Sequence, residues 1–407
     1  MTSPTGSPPP APAVSDQETL LAAAYLSRVA EPGSLHLWRL VQRLGFPDAA
    51  AAVRRGRAGP EVTRATAARR TSADPEADLA AAERNGIRLL VPASPQWPHF
   101  AMAALTGRGR SVEVDPGAAE LIPPLALWVR GRWDLSAAGI RSLAVVGSRA
   151  ATAYGEHVAS DFAYALAGEG VAVVSGGAYG IDAAAHRGAL AAEGISVLVS
   201  AAGLDRPYPA GHASLYERVA ERGLLVSEHP PGSAPHRHRF LSRNRLIAAF
   251  GTATLVVEAG LRSGALNTAR HARQLGRPVL AVPGPITSAM SVGGHRLLQR
   301  VDDPAHLVSS VAEVLGFCGG AGGLATAAAA DAERAPESGY DRLGPVQRRL
   351  IDGLPATGVV SMRRWAQLSG VPAPVIAAAL TELIEAGLVA AEAGGYRLAA
   401  AGSGVAG

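Results

Sequence analysis

Short apolar runs recur through the middle of the chain, at residues 143–146, 171–174, 196–199, 224–226, 254–257 and 278–282. Most are separated by stretches of helical composition. Strands that are apolar throughout, rather than alternating, are covered on both faces, and their alternation with helices predicts a parallel sheet between helical layers. The expected class is therefore α/β, a doubly wound parallel sheet. Upstream, residues 78–135 predict a helix, a short strand at 87–91 and a second apolar strand at 125–129. A polar insertion around 106–120 is expected to loop out between them.

The flanks have other rhythms. From Asp16 to about Arg70 the pattern is helical, with LLAAAYLSRV and LHLWRLVQRLG separated by the turn Glu31-Pro32-Gly33,. Residues 1–16 are Pro-rich and are expected to be disordered. Residues 318–340 have the composition of a low-complexity linker, and residues 400–407 form a short tail,. The segment 341–399 predicts three helices (345–354, 361–368, 374–386) and two short strands (388–391, 396–398), the order of a winged helix. Its third helix carries Glu382 and Glu385 and no basic residue, which suits a protein contact better than a phosphate-walled groove,.

Composition narrows the chemistry. The chain has 407 residues, enough for two or three domains, and one cysteine, Cys318, so no intrachain disulfide can form and a cytoplasmic setting is expected,. The N-terminus lacks the basic start and apolar run of a signal peptide, and no stretch reaches membrane-spanning length, so no membrane partner is expected,. All 38 Lys-plus-Arg positions are Arg. That excludes a Walker A lysine, a Schiff-base lysine and a kinase-type lysine. The net charge of +4 permits a polyanionic partner without demanding one,.

Three strand-to-helix corners of the sheet share a character: Gly147-Ser148-Arg149, then Ser175-Gly176-Gly177 continuing to Gly180, then the stretch ending in Ser263-Gly264. In a doubly wound sheet such corners gather at the carboxyl edge, where ligands bind. Small residues there let backbone N–H groups and helix N-termini approach an anion, with Ser hydroxyls and the Arg149 guanidinium as further donors. Asp182 reads as an acid in the first turn of its helix, and His186 as a packing residue. Neither suggests a metal site.

A basic run follows: His236-Arg237-His238-Arg239-Phe240-Leu241-Ser242-Arg243-Asn244-Arg245. Between Glu228 and Glu258 there is no acidic residue and there are four Arg. An exposed ring inside a run of guanidinium groups suits single-stranded nucleic acid, the charges for phosphates and the ring for a base. Arg243 and Arg245 flank Asn244, so one is placed to face a ligand while the other forms an internal ion pair.

These motifs resemble the DprA/Smf family of DNA-processing proteins. The resemblance rests on GSR after the first strand, SGGAYGID, Tyr208-Pro209 in LDRPYP, FLSRNRLIAA, and SGALNTARHA followed by VPG, all in the family's order. It implies a Rossmann-like core over 76–317, a small N-terminal helical domain of SAM/HhH-like type over 17–75, and a C-terminal winged helix. It also implies a non-enzymatic protein without cofactor or metal, which binds single-stranded DNA and dimerises through its core. Such a protein protects incoming strands and loads a RecA-type recombinase in natural transformation, with single-strand-binding protein as a further partner.

Carried onto matching positions, the DNA pocket comprises Gly147, Ser148, Arg149, Ser175, Gly176, Gly177, Arg237, Phe240, Asn244, Ser263 and Gly264, with Arg239, Arg243 and Arg245 of the basic run beside them. Three departures stand out. The region from Arg70 to Glu120 is longer and more diverged than is usual in the family. Leu241 occupies a position usually held by Pro, and His295 lies where an Asn is expected.

Rival readings fit less well. A nucleotide phosphoribohydrolase also places GGxxG after a strand, but its PGGxGTxxE pattern is missing from EAGLRSGALNTA, leaving Glu258 structural. No G-x-G-x-x-G with a distal acid, no G-x-S-x-G and no H-E-x-x-H occurs. A pure scaffold with a degenerate core is opposed by the intact Arg149 and SGG corner.

Overall fold

The computed structural model describes residues 14–108, 121–318 and 343–399. The expected linker after Cys318, the C-terminal tail and most of the polar insertion lie outside them, as do residues 1–13 of the expected N-terminal tail. The chain divides into two compact units, residues 1–328 and 329–407.

Five helices open the first unit: α1 (Val14–Val29), α2 (Leu35–Leu44), α3 (Phe46–Arg54), α4 (Pro60–Thr66) and α5 (Pro75–Arg84). The first reaches back to Val14, inside the stretch expected to be disordered. Ser34 and Asp74 accept from Leu37 N and Ala77 N, capping α2 and α5,. Tyr25, Leu26, Leu37, Val41 and Val53 pack into one cluster between the helices.

The sheet follows, with β1 (Ile87–Leu90), α6 (His99–Arg108), β2 (Leu127–Gly131), α7 (Leu135–Ala138), β3 (Ser142–Val146), α8 (Ala153–Gly168), β4 (Ala172–Ser175), α9 (Ile181–Ala191) and β5 (Ser196–Ser200). Then come α10 (Ala213–Arg222), β6 (Leu224–Ser227), α11 (Arg237–Phe250), β7 (Ala253–Val256), α12 (Gly264–Gln274), β8 (Val279–Ala281), α13 (Val292–Leu298), β9 (His306–Leu307) and α14 (Val311–Cys318). The spatial order is β1-β2-β6-β5-β4-β3-β7-β8-β9.

Strands β3 to β9 pair in parallel. The two strands before them do not: β2 lies antiparallel to β6, and β1 to β2. They extend the sheet beyond its parallel part and pair the backbone edge that β6 would otherwise expose.

Alternate residues of each central strand point to opposite layers. Leu143, Val145, Val173 and Leu255 join the cluster with α8, α9 and α14. Ala144, Val146, Val174 and Val256 join the one with α11 and α12. Full burial on both faces is why these strands read as unbroken apolar runs. From β3 the chain steps outward through β4, β5 and β6, then returns along α11 to lay β7 on the other side of β3. The switch point between β3 and β7 is where such sheets leave a crevice.

In the second unit the helices Pro345–Asp352, Met362–Ser369 and Ala373–Glu385 precede the hairpin of Val389–Glu392 with Gly395–Leu398. Leu350, Trp365, Ile376 and Leu383 form its core, and Trp365 Nε1 donates to Leu350 O at 2.8 Å. Among the described residues no single helix is long and apolar enough to cross a membrane.

Candidate nucleic-acid interface

The three corners do meet at the carboxyl edge, but several of their polar groups are already engaged by the protein. Ser148 N donates to Glu258 O at 2.7 Å, linking the ends of β3 and β7. The Glu258 carboxylate, buried in the switch point, accepts from Thr152 N at 2.9 Å and from Thr152 Oγ1 at 2.6 Å. It therefore occupies the start of α8, the position a bound anion would favour.

The second corner is closed in the same way. Asp182 accepts from Gly176 N at 3.2 Å and from Ala178 N at 3.3 Å. Burial pushes its carboxyl above the usual range, opposed by Arg243 and by these amides,. Ser175 is fully buried, its hydroxyl donating to Val145 O at 2.6 Å. The expectation that this corner offers a free Ser175 hydroxyl and a bare Gly176 amide is therefore corrected. Among the described residues, the amides of Gly147, Arg149, Gly177, Tyr179 and Gly180 are the ones at these two corners left without an acceptor.

The glycines serve the protein's own close approaches. A Cβ on Gly176 would fall 2.6 Å from Arg243 Nη2, and one on Gly147 would fall 2.8 Å from Glu258 O. Gly177, at φ +73, would also press a side chain to 2.7 Å from Leu198 Cδ1,. Gly264 differs, since a Cβ there would meet nothing within 4 Å. It opens α12 beside Ser263, whose Oγ accepts from Ala265 N at 3.3 Å as N-cap.

The basic run forms the first part of α11, and its four Arg separate sharply. Arg245 is fully buried, its guanidinium bidentate on Glu228 at 2.6 and 2.7 Å, with Nε donating to Ile122 O. Arg243 is also buried and donates to Gly176 O at 2.9 Å and to Val199 O. Burial lowers its pKa to about 10, with Asp182 acting against that and Arg149 adding to it. Arg239 pairs with Glu31 of the N-terminal helices at 2.6 and 2.9 Å. Arg237 alone of the four is exposed. Asn244 is buried, donating to Gly264 O and to Asn267 Oδ1, and so ties α11 to the first turn of α12.

What remains open is an aromatic platform. The Arg149 guanidinium lies 5.3 Å from the centroid of the half-buried Phe240 ring, and the Tyr208 ring lies 5.5 Å from it. Both Arg149 and Tyr208 are exposed. Tyr179, also exposed, leans on His212 at 4.4 Å, edge to face. Reading the residues for chemistry missed these tyrosines. Tyr208 stood in a recognised motif without a role, and Tyr179 in SGGAYG is the only large side chain among glycines and an alanine. His295 Nε2 donates to Gly284 O at 3.0 Å, within the first unit. Among the described residues no group of three or more His, Cys, Asp or Glu is placed to hold a metal.

A mostly parallel α/β sheet with N-terminal helices, and an exposed guanidinium and aromatic rings beside its switch point, defines a fold class rather than a particular protein. Comparison with known proteins is more specific. The family model for DNA recombination-mediator protein A matches residues 119–319. A DNA-processing protein DprA of Mycobacterium tuberculosis is 47% identical over 386 residues, covering 95% of this chain and 96% of that protein. Protein Smf of Escherichia coli is 39% identical over 284 residues, covering 67% and 71%. The X-ray structure of DprA from Streptococcus pneumoniae superposes with a TM-score of 0.57 at 27% identity, covering 73% of this chain and 96% of that one. The chain belongs to the DprA/Smf family of DNA-processing proteins.

Proposed function

We propose that this family member is a non-enzymatic single-stranded DNA-binding protein. One observation carries the reading: the Arg149 guanidinium, the Phe240 ring and the Tyr208 ring stand together at the switch point. An unpaired base can stack on such rings while a guanidinium takes the neighbouring phosphate, whereas the bases of a duplex are already stacked on one another. The binding surface comprises Arg149, Arg237, Phe240, Tyr208 and the open edge at Ser263-Gly264, with the free amides of Arg149 and Gly177. Gly147, Ser148, Ser175, Gly176, Asn244, Arg239, Arg243 and Arg245 support it from behind. The Glu258 carboxylate, held by Thr152, is not free to act as the catalytic acid of a phosphoribohydrolase.

Protection of strands, delivery to a RecA-type recombinase, contact with single-strand-binding protein, core-mediated dimerisation and a cytoplasmic setting complete the proposal. These rest on family membership. The terminal three-helix-and-hairpin unit is proposed to be a winged helix used for protein contact.

Binding of labelled oligo-dT and of a duplex at two salt concentrations tests the reading. The single strand should bind more tightly, with a log–log salt slope of about −0.7 per neutralised phosphate. Arg149→Ala should weaken it about tenfold or more at unchanged melting temperature. Equal affinity for duplex, or an unchanged affinity in Arg149→Ala, would reject the assignment. Release of free base from AMP would instead favour the hydrolase.

A further inference from the structure

A second basic groove lies where the N-terminal helices meet the start of α11. Arg28, Glu31, Arg69, His236, His238 and Arg239 supply its polar side chains, and its volume is about 450 Å³. Glu31 is its one acid, set between Arg69 at 2.6 Å and Arg239 at 2.6 Å. Burial would raise the Glu31 pKa, yet hydrogen bonds from Arg239 and Arg69 hold it down at about 2, so it stays ionised. Arg28 is neutralised separately by Asp78. One carboxylate thus faces two guanidinium groups, with His238 Nε2 at 3.4 Å from it, and the two arginines leave a positive charge over. The His236 and His238 rings stand parallel, 5.8 Å apart, and both residues are exposed.

The groove adjoins the platform. His236 is the N-cap of α11, and Phe240 follows within about one turn, roughly 5.4 Å of helix rise,. Exposed Arg237 sits between them in the chain. No side chain caps this helix end and no acid lies in its first turn, so its dipole also favours an anion,.

We infer that the groove receives the continuation of the strand that stacks on Phe240, a phosphate and its nucleotide being held by Arg69, His236 and His238. The inference rests on the single-strand reading above. It makes the N-terminal helices part of the nucleic-acid surface rather than an appendage. An acidic protein segment has compatible charge, but contiguity with the platform across one helical turn favours the strand.

The experiment compares a thymidine oligomer of about four nucleotides with one of about 16, the range of single-strand site sizes. In the full chain, His236→Ala/His238→Ala should weaken the long oligomer about fivefold and leave the short one unchanged. Arg69→Gln, if it folds, should do the same. Phe240→Ala should weaken both lengths. Equal effects of the double His variant on both lengths, or on neither, would overturn the groove assignment while leaving the platform intact. Failure of the wild type to bind either length would reject the single-strand reading and the groove with it.

Discussion

The two halves of α11's basic run each carry two Arg two residues apart, and only the first half leaves one of its pair exposed. Arg243 and Arg245 are buried, bonded to backbone carbonyls and to Glu228. Arg237 is exposed and Phe240 half-buried, within reach of solvent and of Arg149. A run of guanidinium groups is therefore not one surface. Its distal half fixes where the helix sits against β4, β5 and the loop holding Ile122; in its proximal half Arg239 is buried on Glu31, while Arg237 and part of the Phe240 ring stay open. Rigid support behind an exposed ring is what keeps a stacking platform from reorganising when a base arrives.

That contrast is easiest to break at Arg245. Arg245→Ala leaves Glu228 buried and unpaired, and should cost about 3–5 kcal/mol in denaturant-measured stability. An intact melting curve would show that the distal half does not anchor the helix. Phe240→Ala should do the reverse. It should remove about 1–3 kcal/mol of single-strand affinity, measured by anisotropy, with little change in stability. Loss of folding there would mean that the ring belongs to the core.

Acid probes the scaffold alone. Burial holds the pKa values of His186 and His229 at about 3, so both remain neutral in the folded chain well below their ordinary value of 6.5. The unfolded chain binds those protons first. Their contribution is thus complete above pH 6.5 and declines toward pH 3, by about 1.4 kcal/mol per pH unit for each group. Urea midpoints measured across that interval should fall with pH, and His229→Gln should flatten the fall. The smallest effect is expected for Arg237→Ala. It should reduce the salt slope of binding by about 0.7 while leaving stability unchanged, and a slope that does not move would place the phosphates elsewhere.

Much of this architecture was legible in the residues. Unbroken apolar strands required burial on both faces, and their alternation with helices required parallel connections. The motif order was enough to point to the family. The antiparallel addition of β1 and β2 was not legible, because a short apolar run carries no mark of the edge it will join. Nor were α13, β9 and α14, whose pairing depends on what β8 leaves open.

At the site, the residue types were readable and their division of labour was not. Arg237 and Arg245 look alike in a sequence because charge and spacing do not encode exposure. Asp182 and Glu258 also gave no sign that they would occupy the amides and helix start on which the corners had been judged open. A carboxylate four to six residues from an amide can cap it or point away, and only the packed helix behind it decides. Sequence by itself determined the class of fold, the family and the chemical vocabulary of the edge. The tertiary structure decided which groups the protein keeps for itself, because desolvation rewards pairing every buried charge and amide internally before any is left for a ligand.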